Sequence, residues 1–240
     1  MRTKTELIIA LDLANAKEAS KLLDRLPESI RWFKVGLELF IGDGPAVIDM
    51  LKSRGKQIFL DLKLHDIPNT VASAVSSSAR LGISMLTVHA SGGNAMMQAA
   101  ANAARQAGKE APKLIAVTTL TSLNEIDMAQ IGIKRSLNEH VLALAKMALA
   151  SEMNGLVSSV HEVPLLRKHF GASPIIVTPG IRPEFAQTAV DQKRVSTPKT
   201  AVEAGSDFLV VGRPILTAQD PRAAAIAILK EMDTAKPINN

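Results

Sequence analysis

Asp61 and Lys63 stand two residues apart inside an otherwise apolar run, Ile58-Phe59-Leu60-Asp61-Leu62-Lys63-Leu64. Side chains alternate between the faces of an extended strand, so this acid and base share one wall while Leu60, Leu62 and Leu64 share the other. Two further charges sit in comparable places: Asp12 ends the run Leu7-Ile8-Ile9-Ala10-Leu11, and Lys34 interrupts Trp32-Phe33-Lys34-Val35-Gly36. If three neighbouring strands carry these residues to one interior, Asp12, Lys34, Asp61 and Lys63 form an array of alternating charge. An isolated D-x-K reads most simply as a structural ion pair. Four charges gathered at strand ends are costly to desolvate and stabilise little, which points instead to chemistry. Asp66 follows in the next loop, where Pro68 stops strand pairing and Asn69 or Thr70 can cap the following helix. Taken alone, Asp66 also reads as a capping residue.

A second constellation lies late in the chain, in Thr178-Pro179-Gly180-Ile181-Arg182 and Val211-Gly212-Arg213-Pro214. Glycine permits close backbone approach, arginine supplies a forked donor, and a helix starting near Pro214 would aim amide groups at an anion; together these fit a phosphate. The plainer alternative is two turn glycines with solvated arginines. Between the two segments, residues 183–198 are mostly polar and include Asp191-Gln192-Lys193-Arg194, a length suited to a lid. Gln192 could reach a phosphate oxygen, although an isolated glutamine in a polar loop is usually solvated. His65, His89, His140, His161 and His169 show no metal-ligand spacing, and His89 fits a polar core position. Met96, Met97 and Trp32 read as packing residues.

These residues must be placed by a scaffold, and the sequence supplies a regular one. Apolar runs near Leu7, Trp32, Ile58, Met85, Lys113, Gly155, Pro174 and Phe208 alternate with amphipathic stretches at 16–26, 46–53, 94–106, 138–153 and 221–232. Eight strands alternating with helices predict an α/β fold, a single-domain (β/α)8 TIM barrel over residues 1–233 with a frayed tail at 234–240. An open doubly wound sheet has the same local signature, but the strand count and the late phosphate loops favour the barrel. The 240 residues are 47% hydrophobic and 21% charged, ordinary for a globular domain. With no cysteine, the chain has no disulfide, no thiolate nucleophile and no cysteine-ligated metal. No apolar run is long enough to span a bilayer, so a cytoplasmic protein with no membrane partner is expected. The net charge of +5 is scattered, and one Trp with no Tyr leaves few stacking platforms; a small anionic substrate fits better than nucleic acid.

The segment Asp61-Leu62-Lys63-Leu64-His65-Asp66-Ile67-Pro68-Asn69-Thr70 resembles the D-x-K-x-x-D signature of the orotidine 5'-phosphate decarboxylase family, with its following I-P-N-T. The resemblance extends through Ala10-Leu11-Asp12, Lys34-Val35-Gly36, Leu120-Thr121-Ser122, residues 178–182, Asp191-Gln192, Thr197-Pro198 and Val211-Gly212-Arg213. It implies a homodimer acting on orotidine 5'-phosphate and releasing uridine 5'-phosphate, each site completed by Asp66 of the other subunit, with no cofactor and no metal. Asp12 and Lys34 would meet the ribose hydroxyls and Thr121 the pyrimidine edge, with Ser122 as a helper. Arg182, Gln192, Gly212 and Arg213 would hold the phosphate, and Thr70 joins the substrate-binding set. Lys63 would stabilise and protonate the carbanion left at C6, and Asp61 would crowd the departing carboxylate. The absence of Tyr departs from relatives that use a tyrosine on the phosphate.

Two other readings stay open. Magnesium-dependent sugar-phosphate decarboxylases and synthases share the D-x-K-x-x-D strand but end their second strand in an acid; here Lys34 stands at that place, with Glu38 nearby. A nucleotide- or RNA-binding barrel without catalysis would suit the pI near 9.5 but leaves the Asp61/Lys63 array without a purpose.

Overall fold

A parallel strand covered on both faces must be apolar on both, which is why each of these strands reads as a nearly continuous hydrophobic run. The computed structural model describes residues 4–186 and 196–235. Among them eight parallel strands close into a barrel in sequence order: β1 (Glu6–Ala10), β2 (Trp32–Gly36), β3 (Gln57–Leu64), β4 (Met85–His89), β5 (Lys113–Val117), β6 (Gly155–Val157), β7 (Ile175–Thr178) and β8 (Phe208–Val211). All eight expected strands are present. The surrounding helices are α1 (Ala16–Asp24), α2 (Leu37–Asp43), α3 (Pro45–Ser53), α4 (Pro68–Ala79), α5 (Gly93–Gln106), α6 (Glu125–Gln130), α7 (Leu137–Ala150), α8 (Val163–Phe170), α9 (Pro198–Ala204), α10 (Arg213–Leu216) and α11 (Pro221–Asp233).

Strand alternation divides the apolar residues into two cores. Ile8, Ala10, Phe59, Met85, Ile115, Val177 and Val210 fill the barrel interior, with Trp32 edge-on to Phe208 at 5.0 Å among the partly buried residues against them. The larger core lies between strands and helices, and there Met96 and Met97 are buried as packing residues. Close helix and strand approach fixes some positions: a Cβ on Gly155 would lie 2.3 Å from the Ile175 carbonyl oxygen, so β6 can meet β7 only without a side chain.

Caps and terminators explain the helix limits. Ser136 and Glu139 form a capping box at the start of α7, and Asn124 and Asp127 form another at α6. Expected ends at Leu26 and Met153 fall short, at Asp24 and Ala150: the Arg25 and Ser151 amides close the last turns onto carbonyls behind them. Neither Asn69 nor Thr70 caps α4. The cap position is Ile67, whose side chain cannot accept a hydrogen bond; Pro68 follows at the first helical position, where its fixed φ suits the helix, and Asn69 and Thr70 fall inside the first turn.

At the amino ends of the last strands, buried Arg167 acts as a clamp. Its guanidinium donates to the carbonyls of Gly205 (2.9 Å), Gly171 (3.1 Å) and Pro174 (2.8 Å) and pairs with Asp207 at 2.5 Å. Asp207 also accepts the Ile176 amide, at 2.7 Å. One side chain thereby ties α8 to the starts of β7 and β8.

Candidate active site

The barrel brings the four charged residues together at the carboxyl ends of β1, β2 and β3. The Lys34 ammonium lies 2.8 Å from Asp12 Oδ1 and 3.9 Å from Asp61 Oδ2, and the Lys63 ammonium lies 2.9 Å from that same Asp61 oxygen. The order Asp12, Lys34, Asp61, Lys63 alternates in sign, so each interior charge has an opposite neighbour and the array can be held partly out of water. Space for Lys34 comes from Gly36, where a Cβ would stand 2.7 Å from the ammonium nitrogen. The sequence offered a signal for this in the Lys34-Val35-Gly36 triplet, but not its reason.

Simple alternation along β3 does not fully describe the pair. Lys63 has φ 51°, in the left-handed region, and between Leu60 and Leu64 the register advances four residues on β3 against two on β4. Leu60, Leu62 and Leu64 nevertheless all pack with the outer core, so Asp61 and Lys63 share the interior as expected, but across a bulge. Thr87 of β4, buried and not singled out by sequence reasoning, occupies that bulge: its hydroxyl accepts from the Lys63 amide at 2.8 Å and donates to Asp61 Oδ1 at 3.0 Å. Its only sequence signal is a polar residue within Met85-Leu86-Thr87-Val88-His89.

A cavity of about 170 Å³ opens beside the array. Lys34, Asp61 and Lys63 make its polar wall, while Val117, Val157 and Val177 contribute to an apolar wall opposite; Thr119 and Thr121 stand at the end of β5. A planar ring with one polar edge suits such a space. A larger groove of about 460 Å³ lies at the opposite end of the barrel, where Arg31 pairs with Glu6 at 2.7 Å. The smaller cavity is the better site, because the carboxyl ends of barrel strands are where the loops converge.

The loops after β7 and β8, expected to hold an anion, adjoin the array. Gly180 has φ 80°, which turns the chain after β7, and Arg182 is buried just beyond it. The Arg182 amide donates to the Ser196 carbonyl at 2.9 Å and the Ser196 amide to Gly180 at 3.3 Å, so the two ends of the polar stretch 183–198 are tied together. Gln192 and its neighbours lie outside the described residues. Gly212 packs against β1, a Cβ there standing 3.2 Å from Asp12 Oδ2, and Arg213 begins α10 on the exposed side. The loop after β8 thus abuts Asp12.

Asp66 and Thr70 are exposed and do not line this cavity in their own chain. Asp66 accepts the Ile67 amide at 2.6 Å, and among the described residues it forms no ion pair. Ser122 is likewise exposed, away from the cavity that Thr121 lines. His89, half buried, stacks on His65 at 5.2 Å and bonds Ser91 Oγ through Nδ1 at 2.7 Å. Burial, then the charges of His65 and Lys63, hold its pKa below the ordinary value. Among the described residues no three His, Asp or Glu side chains group as a metal site, and no helix is long and apolar enough to cross a membrane.

Fold and site together define a class, an enzyme of the (β/α)8 type with an array of alternating charge and glycine-arginine loops at the carboxyl ends of its strands. The model of the orotidine 5'-phosphate decarboxylase / HUMPS family matches residues 5–228, and the chain belongs to that family. It is 46% identical to the orotidine 5'-phosphate decarboxylase of Moorella thermoacetica, over 98% of this chain and 95% of that protein. Identity to the Sodalis glossinidius enzyme of the same name is 49%, over 94% of this chain and 89% of that one. The crystal structure of orotidine 5'-phosphate decarboxylase from Lactobacillus acidophilus superposes with a TM-score of 0.84 at 42% identity, covering 96% of this chain and all of that one, 100%.

Proposed function

We propose that the chain decarboxylates orotidine 5'-phosphate to uridine 5'-phosphate and CO2 in pyrimidine nucleotide synthesis, without metal or cofactor. The observation that carries this is the Lys63 ammonium, 2.9 Å from Asp61 and facing a cavity with an apolar wall. When the bond from C6 to the carboxylate breaks, its electron pair stays on C6 in an orbital that the ring carbonyls cannot conjugate with. A fixed ammonium stabilises that charge and then transfers a proton to C6, leaving neutral Lys63 to regain its proton from solvent. Asp61 stands beside the position of the leaving carboxylate. Asp12 and Lys34 hold the ribose, Thr121 the base edge, and Arg182, Gln192, Gly212 and Arg213 the phosphate.

The finer reading is a cytoplasmic homodimer in which Asp66 and Thr70 of one copy enter the site of the other. The exposure of both residues, with Ile67 67% exposed between them and Leu37 and Ile41 also uncovered, supports it.

Loss of orotidine 5'-phosphate absorbance in the presence of EDTA, compared between wild type and Lys63→Ala, tests the activity. Turnover that persists with EDTA and collapses in the variant is expected; a folded wild type active only with Mg2+ and a sugar phosphate overturns the reading. For the dimer, inactive Asp66→Ala and Lys63→Ala subunits are mixed. Activity should return as the subunits exchange, and exchange without activity would discard the shared site.

A further inference from the structure

The Asp61 and Lys63 groups are held in their relation by a third residue that the proposed chemistry does not use. Thr87 is fully buried, and its hydroxyl has both of its roles filled in one sense: the lone pair takes the Lys63 amide and the proton goes to Asp61 Oδ1. This bridge stands where β3 departs from regular pairing. Lys63 sits at φ 51°, a conformation that disfavours a residue with a Cβ, and the ladder skips from the Leu60–Leu86 pair to the Leu64–Val88 pair. Within that gap a regular ladder supplies no partner for the Lys63 amide. The Thr87 hydroxyl is the partner that takes its place.

We infer that Thr87 is a positioning residue for the reaction, fixing the left-handed turn at Lys63 and the orientation of the Asp61 carboxylate through one hydroxyl. It does not line the substrate cavity, so it acts through those two groups rather than on the nucleotide. The effect of removing the hydroxyl therefore falls on the chemical step. Ribose and phosphate contacts belong to other strands and loops, and binding should be nearly untouched. The inference rests on the decarboxylase reading and adds to it the device that aligns its acid.

Thr87→Val keeps the shape and removes the hydroxyl; Thr87→Ser keeps the hydroxyl and removes a methyl. Valine should lower kcat about ten- to hundredfold, the rate equivalent of one hydrogen bond to a charged group. KM and the affinity for uridine 5'-phosphate should stay within about threefold, and serine should restore most of kcat. Independently of turnover, the Lys63 amide proton should exchange with solvent at least about tenfold faster in the valine variant, since its acceptor is gone. Wild-type kcat in Thr87→Val, equal damage by serine and valine, or an unchanged Lys63 amide would each overturn the assignment while leaving the decarboxylase reading intact. A folded wild type inert toward orotidine 5'-phosphate would instead overturn that reading, and this assignment with it.

Discussion

Gly36→Ala should disable the site while leaving the fold alone, because the only atom a new methyl group strikes is the end of a flexible side chain. Gly36 has φ −98° and ψ −173°, an extended conformation that alanine adopts without strain. The added Cβ would lie 2.7 Å from Lys34 Nζ and 3.6 Å from Asp12 Oδ1. Restoring an ordinary contact moves the ammonium by at least about 0.7 Å, given contacts that normally begin near 3.4 Å. Carried away from Asp61, from 3.9 Å to about 4.6 Å, the ammonium loses about 0.6 kcal/mol of attraction at an effective dielectric of 20. Disturbing the 2.8 Å charge-assisted bond to half-exposed Asp12 adds about 1–2 kcal/mol. The sum corresponds to a fall in kcat/KM of roughly 10- to 100-fold. Initial rates of orotidine 5'-phosphate loss measure it, and thermal denaturation should place the melting temperature within about 2 °C of wild type. The decisive control is the pair of variants in a Lys34→Ala background, where the methyl has no ammonium to displace. Gly36→Ala should then cost almost nothing further. An equal loss in both backgrounds, or none in either, would refute the argument that Gly36 exists to seat Lys34.

Arg167→Ala should lower the melting temperature by about 10 °C, since it takes a donor from three carbonyls and the guanidinium from the largely buried Asp207 carboxylate; a change under about 2 °C in a calorimetric scan would show that the clamp is dispensable. Gly155→Ala places a Cβ 2.3 Å from a backbone carbonyl that cannot step aside, so β6 and β7 must part and soluble yield should fall severalfold against wild type. A soluble, fully stable variant would contradict that geometry. His89 should make stability fall in mild acid. Its folded pKa lies below the ordinary 6.5, so the unfolded chain takes up the proton first: the contribution is whole above about pH 6.5 and is lost as pH falls toward the lowered folded value. Urea midpoints at about pH 7.5 and 5.5 should therefore differ less in His89→Gln than in wild type, and equal differences would remove His89 as a source; His140, also lowered by burial and Arg135, accounts for part of what remains.

By itself the sequence determined the barrel and the identity of its charges. Parallel strands buried on two faces leave continuous apolar runs, and β1 to β8 were therefore readable one by one; a charge that interrupts such a run, as Lys34, Asp61 and Lys63 do, stands out against it. The glycine-arginine loops after β7 and β8 could be located for a similar reason, since each directly follows one of those runs, but the same residue types also build plain turns. Tertiary structure alone decided how those charges meet. Pairing across strands set the Asp12–Lys34 and Lys34–Asp61 separations, and a register slip between β3 and β4 put Lys63 into a left-handed turn that period-two reasoning does not contain. Thr87 and Gly36 gained their meaning in the same way. A threonine in a strand and a glycine at a strand end are unremarkable in one dimension, and what matters about each is a contact with a residue of another strand, or with an ammonium folded back over it, that only the closed barrel creates.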